Sequence, residues 1–370
     1  MIRRLVVSLG IVALLTCMSH AQEEETVLGK KRSEWLKLLK ESKQAKFRRA
    51  SLIALEVIGP KATGVVDAIF EALDKDADAD VRREAALTLG RMGADAKGAV
   101  DHLGESLKKD KADIVREAAA RSLAKFGDQA ESQVLILAAA LEDKHAGTRA
   151  AAAETLNELG EKARPALPKL LKVLNDNKAD RFTRTYAALL LVKFGDETKA
   201  ILPALSAALS DKEAPLKVRE AAADALGQLG ETAATTAEAL AKILQSKTEK
   251  AELRRAVAVA LGKVGAKASI AWPAAKVALT DSDNALRYQA IRLAGAFGKD
   301  ERTVVTALAD VAAKDDNTEN RLAAIQELGQ LGNVAADAVP TLTRLASGDS
   351  RASIREAAEE ALKKIKASDQ

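Results

Sequence analysis

Arginine recurs along the sequence at steps of 33 to 35 residues, at Arg48, Arg82, Arg116, Arg149, Arg184, Arg219, Arg254, Arg287, Arg321 and Arg355. A column of guanidinium groups could bind phosphates or carboxylates, because each group donates hydrogen bonds in several fixed directions. Asp precedes most of them, however, six residues earlier at Asp76, Asp110, Asp143, Asp281, Asp315 and Asp349, and eight earlier at Asp176 and Asp211. We therefore interpret the arginines as structural.

Glycine follows each of the first nine arginines by eleven residues, at Gly59, Gly93, Gly127, Gly160, Gly195, Gly230, Gly265, Gly298 and Gly332. Several of them form Gly-x-x-Gly pairs, such as Gly227 and Gly230, which also occur in phosphate-binding and RNA-binding loops. No Lys-Ser/Thr follows, as a P-loop requires. We predict that the second Gly ends a helix in the left-handed conformation and that the first lets a neighbouring helix approach.

Other residues that could do chemistry are few. Two histidines, His102 and His145, follow the N-terminal segment, and neither has a metal-ligand spacing. The carboxylates occupy repeat-wide turn positions or helical charge pairs, and aromatic residues that could stack a sugar make up only 3% of the chain. We predict no catalytic, cofactor or metal site, and therefore a protein that is not an enzyme.

The repeated stretch is typical of a helix with one buried side. Small residues stand three and four positions after the Arg, a Leu seven after in nine copies of ten, and an apolar residue ten after. These positions share one side at a period of 3.6 residues. A second apolar segment, such as residues 163–176, follows the Gly. Pro recurs eight positions after the Gly, in a predicted first helical turn, at Pro168, Pro203, Pro273 and Pro340.

A steady period of about 34 residues predicts a solenoid of helical hairpins. The stretches "DADADVRREAALTLGRMG" (76–93), "DSDNALRYQAIRLAGAFG" (281–298) and "DSRASIREAAEEALKKIK" (349–366) resemble HEAT repeats, most closely the short kind named after the phycobilisome lyases. The resemblance implies an all-α, right-handed α-solenoid of about ten hairpins over residues 33–370. It also implies that Asp and Arg close the turn within each unit and hydrogen-bond along the stack.

The resemblance does not carry an activity over. Deoxyhypusine hydroxylase, a related HEAT enzyme, holds iron on His-Glu dipeptides, and this sequence has none. The bilin lyases act in the cytosol, whereas this chain begins like an exported one. A lyase-type or other enzymatic role is therefore only a minor alternative.

The first 21 residues are typical of a secretory signal peptide. Arg3 and Arg4 precede an apolar run at residues 5–15, and Ser19-His20-Ala21 ends the segment with small residues at the cleavage positions. We expect cleavage before Gln22, a short polar linker at residues 22–32, and a bacterial protein that is periplasmic or extracellular. The only cysteine, Cys17, lies in the signal, and its lipidation is the alternative. No other apolar run is long enough for a transmembrane segment.

The side of the second helix opposite its buried arc carries positions one, five and nine after the Arg, and in HEAT-like solenoids these helices line the concave surface. Basic, acidic and apolar rows alternate there, which favours a protein partner over a nucleic acid. The net charge of +4, or +2 without the two signal arginines, agrees with this. Our candidates for partner binding are Arg83, Arg121, Thr185, Tyr186, Leu189, Arg255, Tyr288 and Arg292.

The sequence thus predicts an exported, monomeric, non-catalytic scaffold that binds a protein partner on its concave surface. The alternative is an envelope-associated structural protein that binds an anionic polymer or lipid through its basic N-terminal repeats. Residues 30–49 favour the alternative, since they hold nine Lys or Arg against two Glu.

Overall fold

A computed structural model describes residues 24–265, 267–298 and 302–367. The predicted signal peptide at residues 1–21, including Cys17, lies outside the described residues. None of the described helices has both the length and the apolar character needed to cross a bilayer.

The described chain is a series of helical hairpins, with helices numbered here in chain order. The first helix of each hairpin has an odd number: α1 (Arg32–Glu41), α3 (Val65–Lys75), α5 (Ala99–Lys109), α7 (Val134–Ala140), α9 (Leu167–Asn175), α11 (Thr198–Ser210), α13 (Ala237–Gln245), α15 (Ala268–Ala278), α17 (Arg302–Lys314) and α19 (Val339–Gly348).

The second helix of each hairpin has an even number and carries the repeated Arg. These helices are α2 (Ala45–Ile58), α4 (Ala79–Met92), α6 (Asp113–Leu123), α8 (Ala146–Leu159), α10 (Arg181–Leu191), α12 (Leu216–Leu229), α14 (Ala251–Lys263), α16 (Asn284–Gly295), α18 (Thr318–Gln330) and α20 (Ala352–Ala367). The predicted order of first helix, turn and Arg-led second helix is confirmed.

The described chain forms two compact units, which divide between Lys162 and Ala163. In the first unit, α2, α4, α6 and α8 pack side by side in chain order, and the odd helices pack next to one another in the same order. In the second unit, α10 to α20 repeat this arrangement among the even helices. Each unit is therefore an all-α solenoid in which a hairpin contacts mainly its neighbours.

Apolar residues at the predicted spacing form the core of each hairpin. In α12, Ala222, Ala223, Leu226 and Leu229 are buried, at three, four, seven and ten positions after Arg219. Short 3₁₀ segments join many of the hairpins: Gly93–Asp95, Ala124–Gln133, Gly160–Ala166, Val192–Phe194, Gly230–Thr236 and Gly332–Ala338. Small buried residues such as Ala222 and Ala223 allow neighbouring helices to pack closely.

Two of the four repeated prolines lie deeper in their helices than predicted. Pro168 and Pro340 occupy the first turn of α9 and α19, as expected. Pro203 and Pro273 are each the sixth residue of their helices, because α11 and α15 begin earlier, at Thr198 and Ala268. Within the described residues, no 3₁₀ segment lies between the repeated Gly and either of these two helices; the 3₁₀ turn Val192–Phe194 ends before Gly195.

Part of the segment predicted as a linker at residues 22–32 is described, from Glu24 onward, and it contains two short strands. Strands β1 (Thr26–Val27) and β2 (Lys30–Lys31) pair antiparallel, with Val27 opposite Lys30, and α1 begins at Arg32. The Trp35 indole N–H donates to the carbonyl of Val27 at 3.0 Å. This buried Trp holds the strands against the first hairpin.

Candidate binding surface on the even-numbered helices

Most of the repeated arginines link their hairpin to the next one within a compact unit. Nε and Nη2 of Arg82 donate to the carboxylate of Asp110 at 2.7 and 2.9 Å. Nη1 of Arg82 donates to the main-chain carbonyl of Asp76 in its own turn at 2.8 Å. Arg48 with Asp76, Arg116 with Asp143, and Arg287 with Asp315 repeat the fork to the next hairpin.

The same Asp also shapes its own turn. Asp110 Oδ1 accepts from the amide of Ala112 at 2.8 Å, two residues along. Burial tends to raise the pKa of Asp110, but the hydrogen bonds from Arg82 and Ala112 hold it below its ordinary value. The guanidinium of Arg82, bonded to this carboxylate, has a raised pKa. The guanidinium and the carboxylate bind each other. This favours a structural role for the arginines over the binding of phosphate or carboxylate ligands.

The pairing differs from the one that the resemblance implied. Within one hairpin, the repeated Arg contacts only the backbone of its Asp turn. The carboxylate that accepts from its side chain belongs to the following hairpin. Arg219 is a clear case, since its partner is Glu249, at 2.8 Å through both Nη1 and Nη2. Asp211 instead lies 3.7 Å from Arg184. Five-residue turns at 176–180, 211–215 and 246–250 displace the carboxylates relative to the arginines.

The first Gly of a pair has its predicted role at Gly227, and the second Gly has positive φ in most hairpins but not the predicted left-handed helical conformation. A Cβ added to Gly227 would lie 3.0 Å from Cα of Ala260, so the first Gly does let the next helix approach. The second, Gly230, has φ +59° and ψ −140°, an extended positive-φ region rather than the left-handed helical one. Only glycine adopts this region readily. Gly195 is an exception: its φ of −60° and ψ of −12° are helical, because the 3₁₀ turn at Val192–Phe194 continues into it.

The predicted rows differ in exposure. Tyr288 is 39% exposed, and Arg83, Arg121 and Arg292 are exposed as well. The remaining candidates are half-buried: Thr185, Tyr186, Leu189 and Arg255. The half-buried ones contribute part of their surface to the face and part to packing, so Tyr288 is the most accessible apolar candidate.

Three of the four candidate arginines are engaged in ion pairs: Arg121, Arg255 and Arg292. Arg121 lies 3.0 Å from Glu117 and 3.8 Å from Glu154. Arg255 lies 3.8 Å from Asp283. The guanidinium of Arg83 has no ion pair or side-chain hydrogen bond within the described residues, which leaves its donors available to a partner.

Arg292 was predicted to lie on the outward side as a candidate for partner binding. In the structure it forms an ion pair. Its guanidinium pairs with Glu327 of the next hairpin, whose side chain is only 7% exposed. Burial raises the pKa of Glu327 and the charge of Arg292 lowers it, with a net rise. Gly295 makes room for this carboxylate, because a Cβ there would overlap it. Arg292 therefore also has a structural role.

A cavity of about 430 Å³ lies on the outward side of α16 and α18. Tyr288, Leu322 and Gln326 line it, and these residues belong to the predicted rows of two successive hairpins. Amide and carboxylate side chains complete the wall: Asn284, Gln289, Asn317, Glu319 and Asn320. The rows of neighbouring hairpins thus form one continuous surface in this part of the second unit.

Two exposed apolar residues of α2 were not among the predicted binding candidates. Ile53 is 51% exposed and Val57 69% exposed, both on α2. Their positions, five and nine after Arg48, were visible in the sequence as two aliphatic residues on the side away from the core. They lie beside Arg49, which is also exposed.

Neither histidine has the surroundings of a metal ligand. The His102 ring stacks on Phe70 at 4.0 Å, and its Nδ1 lies 2.9 Å from Asp74. His145 is the N-cap of α8 and accepts from the amide of Thr148. Across residues 24–265, 267–298 and 302–367, no group of three or more His, Cys, Asp or Glu side chains is arranged to hold a metal ion.

Comparison with solved structures shows the same fold. Yeast importin-β (Kap95p) matches with a TM-score of 0.60 and 13% identity, over 90% of this chain and 50% of that one. Kap121p matches with 0.64 and 17%, over 96% and 42%. The karyopherin Kap121p bound to the extreme C-terminus of the phosphatase Cdc14p matches with 0.63 and 15%, over 90% and 41%.

The chain spans half or less of the length of each of these proteins, and identities this low show a shared fold alone. Comparison with curated protein sequences found no match. The family model of HEAT repeats matches residues 33–124, 100–190, 167–262 and 273–363. That match does not distinguish the short, phycobilisome-lyase-like kind, which stays a prediction. Because the matched segments cover most of the chain, the protein belongs to the HEAT-repeat family.

Proposed function

We propose that the protein is an exported, non-catalytic scaffold that binds a protein partner on the outward, concave side of its even helices. One observation carries the proposal: Tyr288 is exposed in the cavity between α16 and α18, beside Leu322 and Gln326. Aromatic side chains bordered by polar groups are favoured anchors of protein interfaces. The amides around them can donate to and accept from a peptide backbone.

The matched karyopherin gives limited support for this kind of partner. Kap121p was solved with the extreme C-terminus of a protein phosphatase. A protein segment as ligand suits the surface of the present chain, because its charges alternate. Such alternation fixes the register of a partner and disfavours simple polyanions.

The test is capture of the native partner from the envelope fraction by the processed protein and its variants. Tyr288→Ala should weaken capture at least about tenfold, a loss of about 1.4 kcal/mol. Phe182→Ala is the matched control, since Phe182 is an exposed aromatic of the same unit, at 58%, outside the rows. Equal losses in the two variants, or no loss with Tyr288→Ala, would contradict the proposed site.

Export is part of the proposal and has its own measurement. In a bacterium with a Sec system, the exported form should begin at Gln22, which intact mass would show. A mass that includes a lipid on Cys17 would replace free export with anchoring. A full-length cytoplasmic product would contradict export itself.

A further inference from the structure

The first hairpin exposes an unusual share of apolar surface. Of the eight large hydrophobic residues that are exposed in the described part of the chain, four lie between residues 28 and 57: Leu28, Phe47, Ile53 and Val57. The terminal hairpins of a solenoid normally keep a polar outer side, because no neighbour covers it. The last described helix, α20, follows this rule and has no exposed large hydrophobic residue. The first described hairpin does not follow this rule, since Phe47, Ile53 and Val57 are exposed on it.

Phe47 lies on the side of the first hairpin that no other described helix covers, and Leu28 lies at the tip of the strands that precede this hairpin. Phe47, which is 45% exposed, lines a cavity of about 690 Å³ together with Leu38 and Lys30. Leu38 lies on the side of α1 away from α3, whereas Leu36 and Leu39 line the groove toward α3. Leu28 is 86% exposed at the tip between β1 and β2, two residues before Lys30.

The backbone holds Leu28 in this exposed position at a conformational cost. Its φ is +51°, and it is the one non-glycine residue with positive φ among those that the structure describes. Two-residue hairpin turns with positive φ at both positions favour Asn or Asp before Gly, not Leu. The strands are fixed below by the Trp35–Val27 hydrogen bond and by the amide of Arg32, which donates to the Glu25 carbonyl at 2.9 Å. Strain that the surroundings maintain in this way points to a function.

Basic side chains lie beside Phe47. Lys30, Lys37 and Lys43 line the same cavity as Phe47. Lys46 Nζ lies 5.0 Å from the centre of the Phe47 ring. Of these four lysines, only Lys37 is within ion-pair distance of a carboxylate in the described residues, 4.0 Å from Glu41. Glu34 and Glu41 also line the cavity, so the four lysines leave a net positive charge at this apolar end of the hairpin.

We propose that this end of the protein docks on the surface of an anionic lipid bilayer. Leu28 and Phe47 would enter the interface, and the lysines would contact the phosphates of the headgroups. Lys is depleted at protein interfaces, whereas Lys beside exposed Phe and Leu is typical of segments that lie on membranes. An anionic polymer would attract the lysines but would leave Leu28 and Phe47 in water. The inference concerns another surface and another ligand than the proposed scaffold function.

The test is cosedimentation of the processed protein, beginning at Gln22, with vesicles of phosphatidylcholine alone or mixed with phosphatidylglycerol. Removing residues 1–21 removes none of the described contacts, which begin at Glu24. The protein should bind the mixed vesicles and not the neutral ones. The double variant Leu28→Asn/Phe47→Ser should bind them at least about tenfold more weakly.

Leu28→Asn separates binding from folding, because Asn tolerates positive φ and should leave stability unchanged or higher. Leu135→Ser is the matched control, since Leu135 is 67% exposed in the same unit and far from the lysines in sequence. It should leave vesicle binding unchanged, as should Tyr288→Ala. A triple variant, Lys30→Gln/Lys43→Gln/Lys46→Gln, should reduce binding and its dependence on salt.

Three outcomes would overturn the proposal. The first is an absence of binding to the mixed vesicles. The second is binding that the lysine variant abolishes and the Leu28→Asn/Phe47→Ser variant leaves intact, which would indicate a simple polyanion as ligand. The third is an equal loss with Leu135→Ser, which would indicate that exposed apolar residues act without regard to place.

Discussion

At the scale of single residues, the outward side of the even helices contains both available and committed charges. Arg83 is exposed without a partner in the described structure, whereas Arg292 neutralises a buried carboxylate. Both residues are arginines on the outward rows: Arg83 is one residue after Arg82, and Arg292 is five residues after Arg287. What distinguishes them is the neighbouring hairpin, which presents Glu327 to Arg292.

Arg292→Ala should therefore destabilise the protein by about 1–3 kcal/mol, because it leaves Glu327 buried without its counter-ion. The folded-state pKa of Glu327 is raised, so the folded protein binds more protons there than the unfolded chain does. Stability must then fall as the pH rises from the ordinary Glu value through this raised pKa. Urea unfolding should show a larger loss near about pH 8 than near about pH 5.

Glu327→Gln supplies the control for this prediction. In that background, Arg292→Ala should cost under about 0.5 kcal/mol and show little dependence on pH, since no buried charge remains. A cost that stays the same with and without the carboxylate would mean that Arg292 acts through packing of its stem.

At the scale of elements, the ends of the even helices differ although the first nine have a Gly at the same repeat position. Gly230 has a backbone conformation that other residues rarely adopt, and Gly195 is helical. An alanine at position 195 would place its Cβ 3.4 Å from Leu229, an ordinary contact. Identical sequence positions thus have different tolerances for substitution.

Gly230→Ala should lower the free energy of unfolding by about 1–3 kcal/mol through backbone strain. Gly195→Ala should change it by no more than about 0.5 kcal/mol. Chemical denaturation of the two single variants would measure the difference. Similar losses in both would show that the helix ends are less distinct than their dihedral angles.

At the scale of the whole molecule, the repeated Arg–carboxylate forks make stability depend on acid. Burial tends to raise the pKa of Asp143, but hydrogen bonds from Arg116 and the His145 amide hold it below its ordinary value, as in Asp110. A carboxyl whose folded-state pKa is lowered stabilises the fold above its ordinary pKa and loses that contribution as the pH falls through the folded value. This pH dependence of stability is opposite in sign to that of Glu327, whose contribution falls as the pH rises.

We expect unfolding by urea to become progressively easier below about pH 4. Asp110→Asn should be less stable than the natural protein at neutral pH, by about 1–3 kcal/mol, because a charge-assisted fork is weakened. The difference should narrow in acid, where Asp110 itself becomes protonated. A difference that is constant over this range would show that the charge of Asp110 does not contribute to stability.

The sequence by itself determined the fold, because every signal for it is local. The apolar spacing after Arg219, the Gly eleven residues on and the period of about 34 residues each act within one hairpin or between adjacent hairpins, and together they predict a HEAT solenoid. The outward rows could be predicted for the same reason, down to the place of Tyr288 on α16.

Only the tertiary structure decided which side chains meet, because this depends on how one hairpin stacks on the next. Glu249, thirty residues after Arg219, is its partner, and Glu327 is buried under Arg292 across a gap of 35 residues. The exposure of Leu28 and Phe47 was equally beyond the sequence pattern, since the repeat cannot show which hairpin lacks a neighbour to cover its outer side. In the described structure, the N-terminal strands and the first hairpin leave Leu28 and Phe47 exposed. Such exposure depends on contacts between distant residues, which exist only in the folded chain.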